Sequence, residues 1–251
     1  MQWLYGSGEG AASSLQAFRA FADHALAAVR ARPREGVVLA AGASVSAPRF
    51  EACGAKPLAV MLDVDETALQ NLGYEYALAR RGKSSDGALL DAWQKAPRRE
   101  VAPMPGVVEA LNAIRAAGIV VIFNSNRDNP DAAATAATLD AAGLGPAVPG
   151  ETLLLRGDVD GKSGKDGRRS DVAARYCVVA MAGDQLGDFA DGFNDKALSI
   201  GQRRALAFTG PLGGLWGKGW FLLSNPVYGP GLKGSIDEVF PPAARWQAGE
   251  K

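Results

Sequence analysis

Histidine is nearly missing from this chain: His24 is the single one among 251 residues. A mechanism that needs two imidazoles is excluded, and so is a metal site built on several of them. Cysteine is scarce too. Cys53 and Cys177 are the only pair, which fits either a reduced compartment or one disulfide. Neither sign of charge is in excess, since Lys+Arg and Asp+Glu both number 27. There is no basic stripe or tail, so a nucleic-acid polymer, whose phosphates a binder must neutralise, is not an expected partner. No apolar run approaches the ~18 residues of a membrane span. The start, Met1-Gln2-Trp3-Leu4-Tyr5, lacks the charged and then apolar regions of a signal peptide.

What is there is enough for one domain, or a core with a smaller companion. Leu58-Ala59-Val60-Met61-Leu62 carries no charge and lies between Pro57 and an acidic cluster. It reads as a buried strand of a parallel sheet. Asp63 and Asp65 follow, then Glu66 and Thr67. A spacing of two puts both aspartates on one side of an extended segment. The end of a strand is where open α/β sheets hold their ligands. Two like charges this close raise each other's pKa unless a cation intervenes. Alone, the pair reads equally well as an acidic loop.

Ser13 or Ser14 caps an expected helix over residues 14–32, with Leu15, Phe18, Phe21, Leu26 and Val29 on its apolar face. His24 lies on it and reads as structural or surface. Residues 33–57 read as loop. Helices are expected over 71–82 and 86–96, the second carrying Trp93. Arg98-Arg99 and the prolines at 103 and 105 close this insert. A helix over 106–117 leads to a strand over 119–123, followed by Asn124-Ser125-Asn126-Arg127. After a helix over 128–142 come a strand over 153–155 and a helix over about 168–175. A strand over 177–182 runs into Gly183-Asp184-Gln185-Leu186-Gly187-Asp188-Phe189, and a last one covers 220–223.

This alternation predicts an α/β fold, a Rossmann-like parallel sheet with right-handed crossovers and a small helical cap insert. Residues 1–57 form an N-terminal helical segment packing with the cap, and 58–70 with 103–224 the catalytic core. Residues 71–102 form the cap insert, and 225–251 a segment near the mouth of the site. Polar clusters stand directly after strands one, two and four, which a purely structural protein does not need. Gly157-Asp158-Val159-Asp160-Gly161-Lys162-Ser163 is one residue short of a nucleotide-binding P-loop. It also fails as a calcium loop, because Lys162 takes a ligand position.

Taken together, Asp63-x-Asp65-x-Thr67, Ser125, Lys165 and Asp184 with Asp188 resemble the four motifs of the haloacid-dehalogenase-like superfamily. Finer features resemble its class C acid phosphatases, exported bacterial phosphomonoesterases that are often outer-membrane lipoproteins, some of them 5'-nucleotidases. These are Trp3-Leu4-Tyr5-Gly6-Ser7-Gly8-Glu9, Ser125-Asn126-Arg127, Lys162-Ser163-Gly164-Lys165 and Gly183 to Phe189. The resemblance runs from residue 3 to about residue 230, with one departure, Gln185, where the family usually has Asn.

The resemblance implies an Mg²⁺-dependent phosphatase acting on a small phosphomonoester. Asp63 would be the nucleophile, forming an aspartyl-phosphate. Asp65 would be the general acid and base. Asp63, Asp184 and the backbone carbonyl of Asp65 would hold the metal, leaving the Asp65 carboxylate free. Asp188 would hold a metal water or Asp184 from one layer out. Ser125 and Lys165 would contact the phosphoryl group, Lys165 being preferred over Lys162 because the family places the lysine in Ser-x-Lys. Asn126, Trp93, Tyr74 and Tyr228 are the expected substrate contacts. Arg127 either pairs with an acid behind the site or touches substrate, and the pairing is preferred.

Strands one and four are neighbours in this superfamily, which would bring Cys53 and Cys177 near the amino ends of adjacent strands. Two separate buried thiols are preferred there, with a disulfide left open. The resemblance also implies an exported, periplasmic or outer-membrane-associated protein whose signal is absent from this chain. Membrane attachment would come only through an anchor outside it. A homo-oligomer is left open. The alternatives are a phosphomutase or phosphotransferase on the same machinery, and a non-catalytic surface binding protein.

Overall fold

The computed structural model describes residues 1–96, 101–159 and 161–246. Arg98, Arg99 and Asp160 lie outside the described residues. The chain opens with a short helix α1 (Gln2–Gly6) and a long one, α2 (Gly8–Ala31). The cap of α2 is Ser7, whose Oγ accepts from the Gly10 N–H at 2.9 Å, so the helix starts earlier than Ser13 or Ser14. Ser14 does other work, donating to the Pro105 carbonyl at 2.8 Å. Residues expected as loop contain β1 (Glu35–Leu39) and β2 (Phe50–Ala52), an antiparallel ribbon. Trp220 Nε1 donates to the Val37 carbonyl at 2.8 Å and pins β1 to the body.

The core strands follow. β3 (Leu58–Leu62) is buried along its whole length. β4 (Leu69–Gln70) later pairs with β5 (Ala102–Pro103), and the two clasp the base of an insert. That insert carries α3 (Leu72–Arg80) and α4 (Gly87–Lys95). Then come α5 (Val107–Ala116), β6 (Val120–Asp128), α6 (Ala132–Ala141), β7 (Leu153–Arg156), α7 (Asp166–Arg175), β8 (Cys177–Gly183), α8 (Ile200–Phe208), β9 (Trp220–Leu222) and α9 (Ile236–Val239).

The five central strands run parallel in the order β7-β6-β3-β8-β9. Alternation along β3 feeds two cores. Val60 and Leu62 face Phe18, Phe21, Leu111 and Ile114. Ala59 and Met61 face Val172, Phe189, Phe193 and Trp220. Continuous apolar strands of this kind need helices on both faces, and the two clusters supply them. The N-terminal segment expected to pack with the cap divides. α2 lies against the sheet and α5, while α1 reaches the insert's base, where the Leu4 carbonyl accepts from Gln70 at 3.4 Å.

Cys53 and Cys177 form a disulfide, with Cα atoms 4.6 Å apart, in place of the two thiols preferred. The register explains it: Cys177 sits opposite Leu58, at the amino ends of β3 and β8. Cys53 follows β2 at the end of the ribbon, where its N–H donates to the Arg34 carbonyl at 2.9 Å. His24 is half-buried, tilted against Phe221 at 5.8 Å, and burial lowers its pKa. Among the described residues, no helix is long and apolar enough to cross a membrane.

Candidate active site

The carboxyl ends of β3 and β8 bring the acidic groups together. The Asp63 N–H donates to the Ala182 carbonyl at 3.0 Å, which fixes Asp63 beside the start of the loop carrying Asp184. Oxygens of Asp63, Asp184 and Asp188 lie within 4.8 Å of one another. Lys165, buried at the residue before α7, stands among them. Its Nζ donates to Asp63 at 2.5 Å and to Asp188 at 2.7 Å. Lys162 lies exposed in the preceding turn.

Each acid is held differently. Asp188 closes a short turn over Leu186–Asp188 by accepting the Gln185 N–H at 2.9 Å. Gly183 makes room for it, because a Cβ there would stand 2.3 Å from the Asp188 Cβ. Asp184 accepts from Thr67 Oγ1 at 3.0 Å on one oxygen. On the other it accepts from Gln185 Nε2 at 2.9 Å and Asn225 Nδ2 at 2.7 Å. Asp65 is not free. Arg127, buried at the end of β6, donates to it through Nη2 at 2.7 Å and Nε at 3.1 Å, and Asn71 adds a bond of 2.7 Å. Arg127 thus pairs with an acid of the site itself.

These surroundings divide the carboxylates electrostatically. Burial pushes Asp63 well above the ordinary range, Lys165 opposes, and Asp188, Asp184 and Asp65 push it further. Asp184 is pushed up to about 7, by burial first and the Asp188 charge second. Asp65 goes the other way. Burial opposes its ionisation, but the Arg127 charge, its hydrogen bonds and that of Asn71 outweigh it. Lys165 stays charged, since Asp188 and Asp63 more than offset its burial. Three carboxylates against one lysine leave buried negative charge unbalanced. An oxygen-only donor set with excess negative charge fits a hard divalent cation.

A cavity of about 360 Å³ opens over these groups, within the range of small-ligand sites. Asp63, Asp65, Asp184, Asp188, Lys165, Asn126, Tyr74 and Tyr228 all line it. Asn126 is fixed by Arg168 Nη2, which donates to its Oδ1 at 2.5 Å. Trp93 and Ser125 are not among the lining residues. Trp93 instead donates to Asn71 Oδ1 at 3.3 Å. Ser125 is fully buried, its Oγ accepting the Arg127 N–H at 3.2 Å.

Sequence reasoning gave no role to Glu66, Asn71, Arg168 or Asn225. Glu66 is 1% exposed and adopts a left-handed backbone, φ 53°, a conformation rare outside glycine. Its carboxylate accepts from Tyr5 Oη at 3.1 Å, Tyr228 Oη at 2.7 Å and the Asn71 N–H at 2.9 Å. Burial and then the Asp65 charge push its pKa up to about 7. The signal was available for Glu66, a third acid beside two aspartates. Asn71 and Arg168 stand in no motif, and their bonds to Arg127 and Asn126 span 56 and 42 residues.

Two solved structures share this architecture. The class C acid phosphatase from Bacillus anthracis superposes with a TM-score of 0.74 at 24% identity, over 99% of this chain and 95% of that one. The same Bacillus anthracis enzyme with tungstate bound gives 0.73 at 23%, with the same coverage. The family described as HAD superfamily, subfamily IIIB (Acid phosphatase) matches residues 23–231, the span that carries every acidic group of the cavity. The chain therefore belongs to the acid phosphatases of haloacid-dehalogenase-like subfamily IIIB and is a phosphomonoester hydrolase.

Proposed function

We propose that the protein hydrolyses phosphomonoesters through a phosphorylated Asp63, with Mg²⁺ as its cation and nucleoside 5'-monophosphates among its substrates. The observation that carries this reading is Lys165 Nζ between Asp63 and Asp188, 2.5 and 2.7 Å away, at the floor of an open cavity. A carboxylate nucleophile must approach a phosphate dianion, so positive charge has to stand beside it. Asp63 forms the bond to phosphorus as the bond to the leaving oxygen breaks. Asp65 gives that oxygen its proton, then takes one from the water that hydrolyses the acyl-phosphate. The Arg127 pair keeps Asp65 ionised at rest, so Asp65 must load a proton first, in keeping with an acid optimum. Asp63, Asp184 and the backbone carbonyl of Asp65 would hold the Mg²⁺, with Asp188 supporting them. When bound, it supplies charge neutralisation for the approaching dianion.

Tyr74 and Tyr228 on the cavity wall support a ring-bearing leaving group, since base–aromatic stacking contributes ~1–3 kcal/mol per base. The Cys53–Cys177 disulfide supports an exported protein in an oxidising compartment. The test is hydrolysis of p-nitrophenyl phosphate and a 5'-nucleotide panel across pH, with Mg²⁺ and with EDTA, beside Asp63→Asn. Mg²⁺-dependent turnover lost in the variant is expected. Turnover insensitive to EDTA, or retained by Asp63→Asn, would sink the mechanism. An added alcohol that captured most of the phosphate would favour a phosphotransferase.

A further inference from the structure

The segment after β9 places Tyr228 on the cavity wall with little backbone support. Among the described residues, the backbone of 224–228 makes no hydrogen bond to another backbone group. A second cavity of about 410 Å³ borders it, lined by Asp184, Gln185, Leu223, Asn225 and Pro230 among others. Val227 touches the edge of the core. The polar holds on this segment are side chains. Asn225 Oδ1 accepts the N–H groups of Val227 and Tyr228 at 2.9 and 3.2 Å. Gln185 Nε2 donates to the Tyr228 carbonyl at 3.3 Å. Glu66 accepts the Tyr228 hydroxyl at 2.7 Å.

Two of these holders are also the holders of Asp184. Gln185 Nε2 and Asn225 Nδ2 both donate to its Oδ2. Gln185 lies flat along the segment, because a Cβ on Gly229 (φ 103°) would stand 2.4 Å from its Oε1. An Asn at 185 is one methylene shorter and could not reach both Asp184 and the Tyr228 carbonyl from the same backbone position. With Thr67 on Oδ1, three of the about four lone-pair positions of this carboxylate are taken. The one left is on Oδ1, opposite the two amides.

We propose that Gln185 and Asn225 are positioning residues that couple cation binding at Asp184 to the placement of Tyr228, and so to the binding of ring-bearing phosphomonoesters. The proposal rests on the phosphatase reading for its substrate half only. A cation held by Asp184 would fix that carboxylate, and Oδ2 would then present a settled acceptor to both amides. The amides in turn fix the Tyr228 segment at its N–H and its carbonyl. By linkage, a ligand that settles Tyr228 tightens the cation to the same degree. Partners that orient a metal ligand in this way are worth 10–100-fold in metal affinity.

The experiment combines Mg²⁺ calorimetry on the substrate-free protein with amide hydrogen exchange over residues 224–230, for wild type, Gln185→Leu, Gln185→Asn and Asn225→Ala. In wild type, Mg²⁺ slows exchange at Val227 and Tyr228. In Gln185→Leu, which keeps the bulk and loses both bonds, Mg²⁺ binds on the order of ten-fold more weakly and no longer slows that exchange. The same variant loses more kcat/KM on a nucleoside 5'-monophosphate than on glycerol phosphate, which has no ring, mostly through KM. Gln185→Asn falls between the two. Circular dichroism confirms folding, and if Gln185→Leu fails to fold, Gln185→Asn and Asn225→Ala carry the same readouts. The coupling is overturned if Mg²⁺ leaves the exchange of 224–230 unchanged in wild type. It is also overturned if the variants bind Mg²⁺ as wild type does, or lose equally on both substrates. Coupled Mg²⁺ binding and protection without any turnover would sink the phosphatase reading and leave the coupling standing.

Discussion

At the amino ends of β3 and β8 the chain places the Cys53–Cys177 disulfide. At the carboxyl ends of the same two strands it gathers Asp63, Asp184 and Asp188 around the single charge of Lys165. One end is clamped covalently and the other carries repulsion that nothing in the chain fully balances. Sites held in unfavourable electrostatic arrangements depend on the rest of the fold for their geometry. Here the clamp and the strained site share two strands. The difference can be broken from either end, and the two ends should fail in opposite ways.

The largest effect is expected at the carboxyl end. Asp63→Asn should cost on the order of 10⁴-fold in kcat/KM, about 5.5 kcal/mol of transition-state stabilisation. It should not lower the thermal midpoint in metal-free buffer, because the carboxyl it removes is one whose ionisation the fold disfavours. A matched fall in stability and activity would mean that Asp63 is structural. At the amino end the reverse holds. Cys53→Ser with Cys177→Ser opens a loop of 124 residues, worth ~5 kcal/mol in chain entropy. The midpoint should drop by about 10–20 °C, while kcat/KM well below that midpoint stays near wild type. Thermal melts and kinetics on the same preparations check both.

A smaller effect separates the ends by pH. Asp184 and Glu66 titrate at about 7 in the folded chain, against ordinary values of 3.8 and 4.5. Between about pH 4 and pH 7 the folded state therefore binds more protons than the unfolded one. Stability falls as pH rises through that window and levels off above it. Asp65, held down by Arg127, acts in the opposite sense, but its window lies below pH 3.8 and outside this range. Metal-free protein should be less stable at pH 8 than at pH 5 by a few kcal/mol. Mg²⁺ should restore most of the loss at pH 8 and do little at pH 5. A midpoint that rises from pH 5 to pH 8 without metal would contradict this account of the carboxylates.

Much of the comparison was legible in the chain. Leu58 to Leu62 and Cys177 to Ala182 are uninterrupted apolar runs ending in acids, a local signal that needs no knowledge of neighbours. The ribbon of β1 and β2 was not legible, because Glu35 and Gly36 open a strand only five residues long. β4 and β5, two residues each, carry no period at all. The disulfide was legible only as one of two outcomes. Cys53 follows β2 directly rather than lying on β3, and its approach to Cys177 depends on a pairing the sequence did not reveal. At the site, Asp63 and Asp65 were visible from their spacing after a strand, and Lys165, Asp184 and Asp188 from the resemblance. Arg127 apart, the surrounding bonds were not, since Thr67 and Asp184 are 117 residues apart and Glu66 and Tyr228 are 162 apart.

The smallest expected effect probes that last pair. Tyr228→Phe keeps the ring and deletes one hydroxyl whose partner is Glu66. Glu66 retains Tyr5 and the Asn71 N–H, so the carboxylate is not stranded, and the loss should be near the ~1 kcal/mol of an ordinary hydrogen bond. Gln185 and Asn225 still hold the Tyr228 backbone, so KM for a nucleoside 5'-monophosphate should rise about two- to five-fold with kcat nearly unchanged. A loss on the scale of Asp63→Asn would mean that the hydroxyl takes part in the chemistry. No change at all would mean that the backbone bonds alone set the wall, and that Glu66 serves the insert through Asn71 rather than the ring.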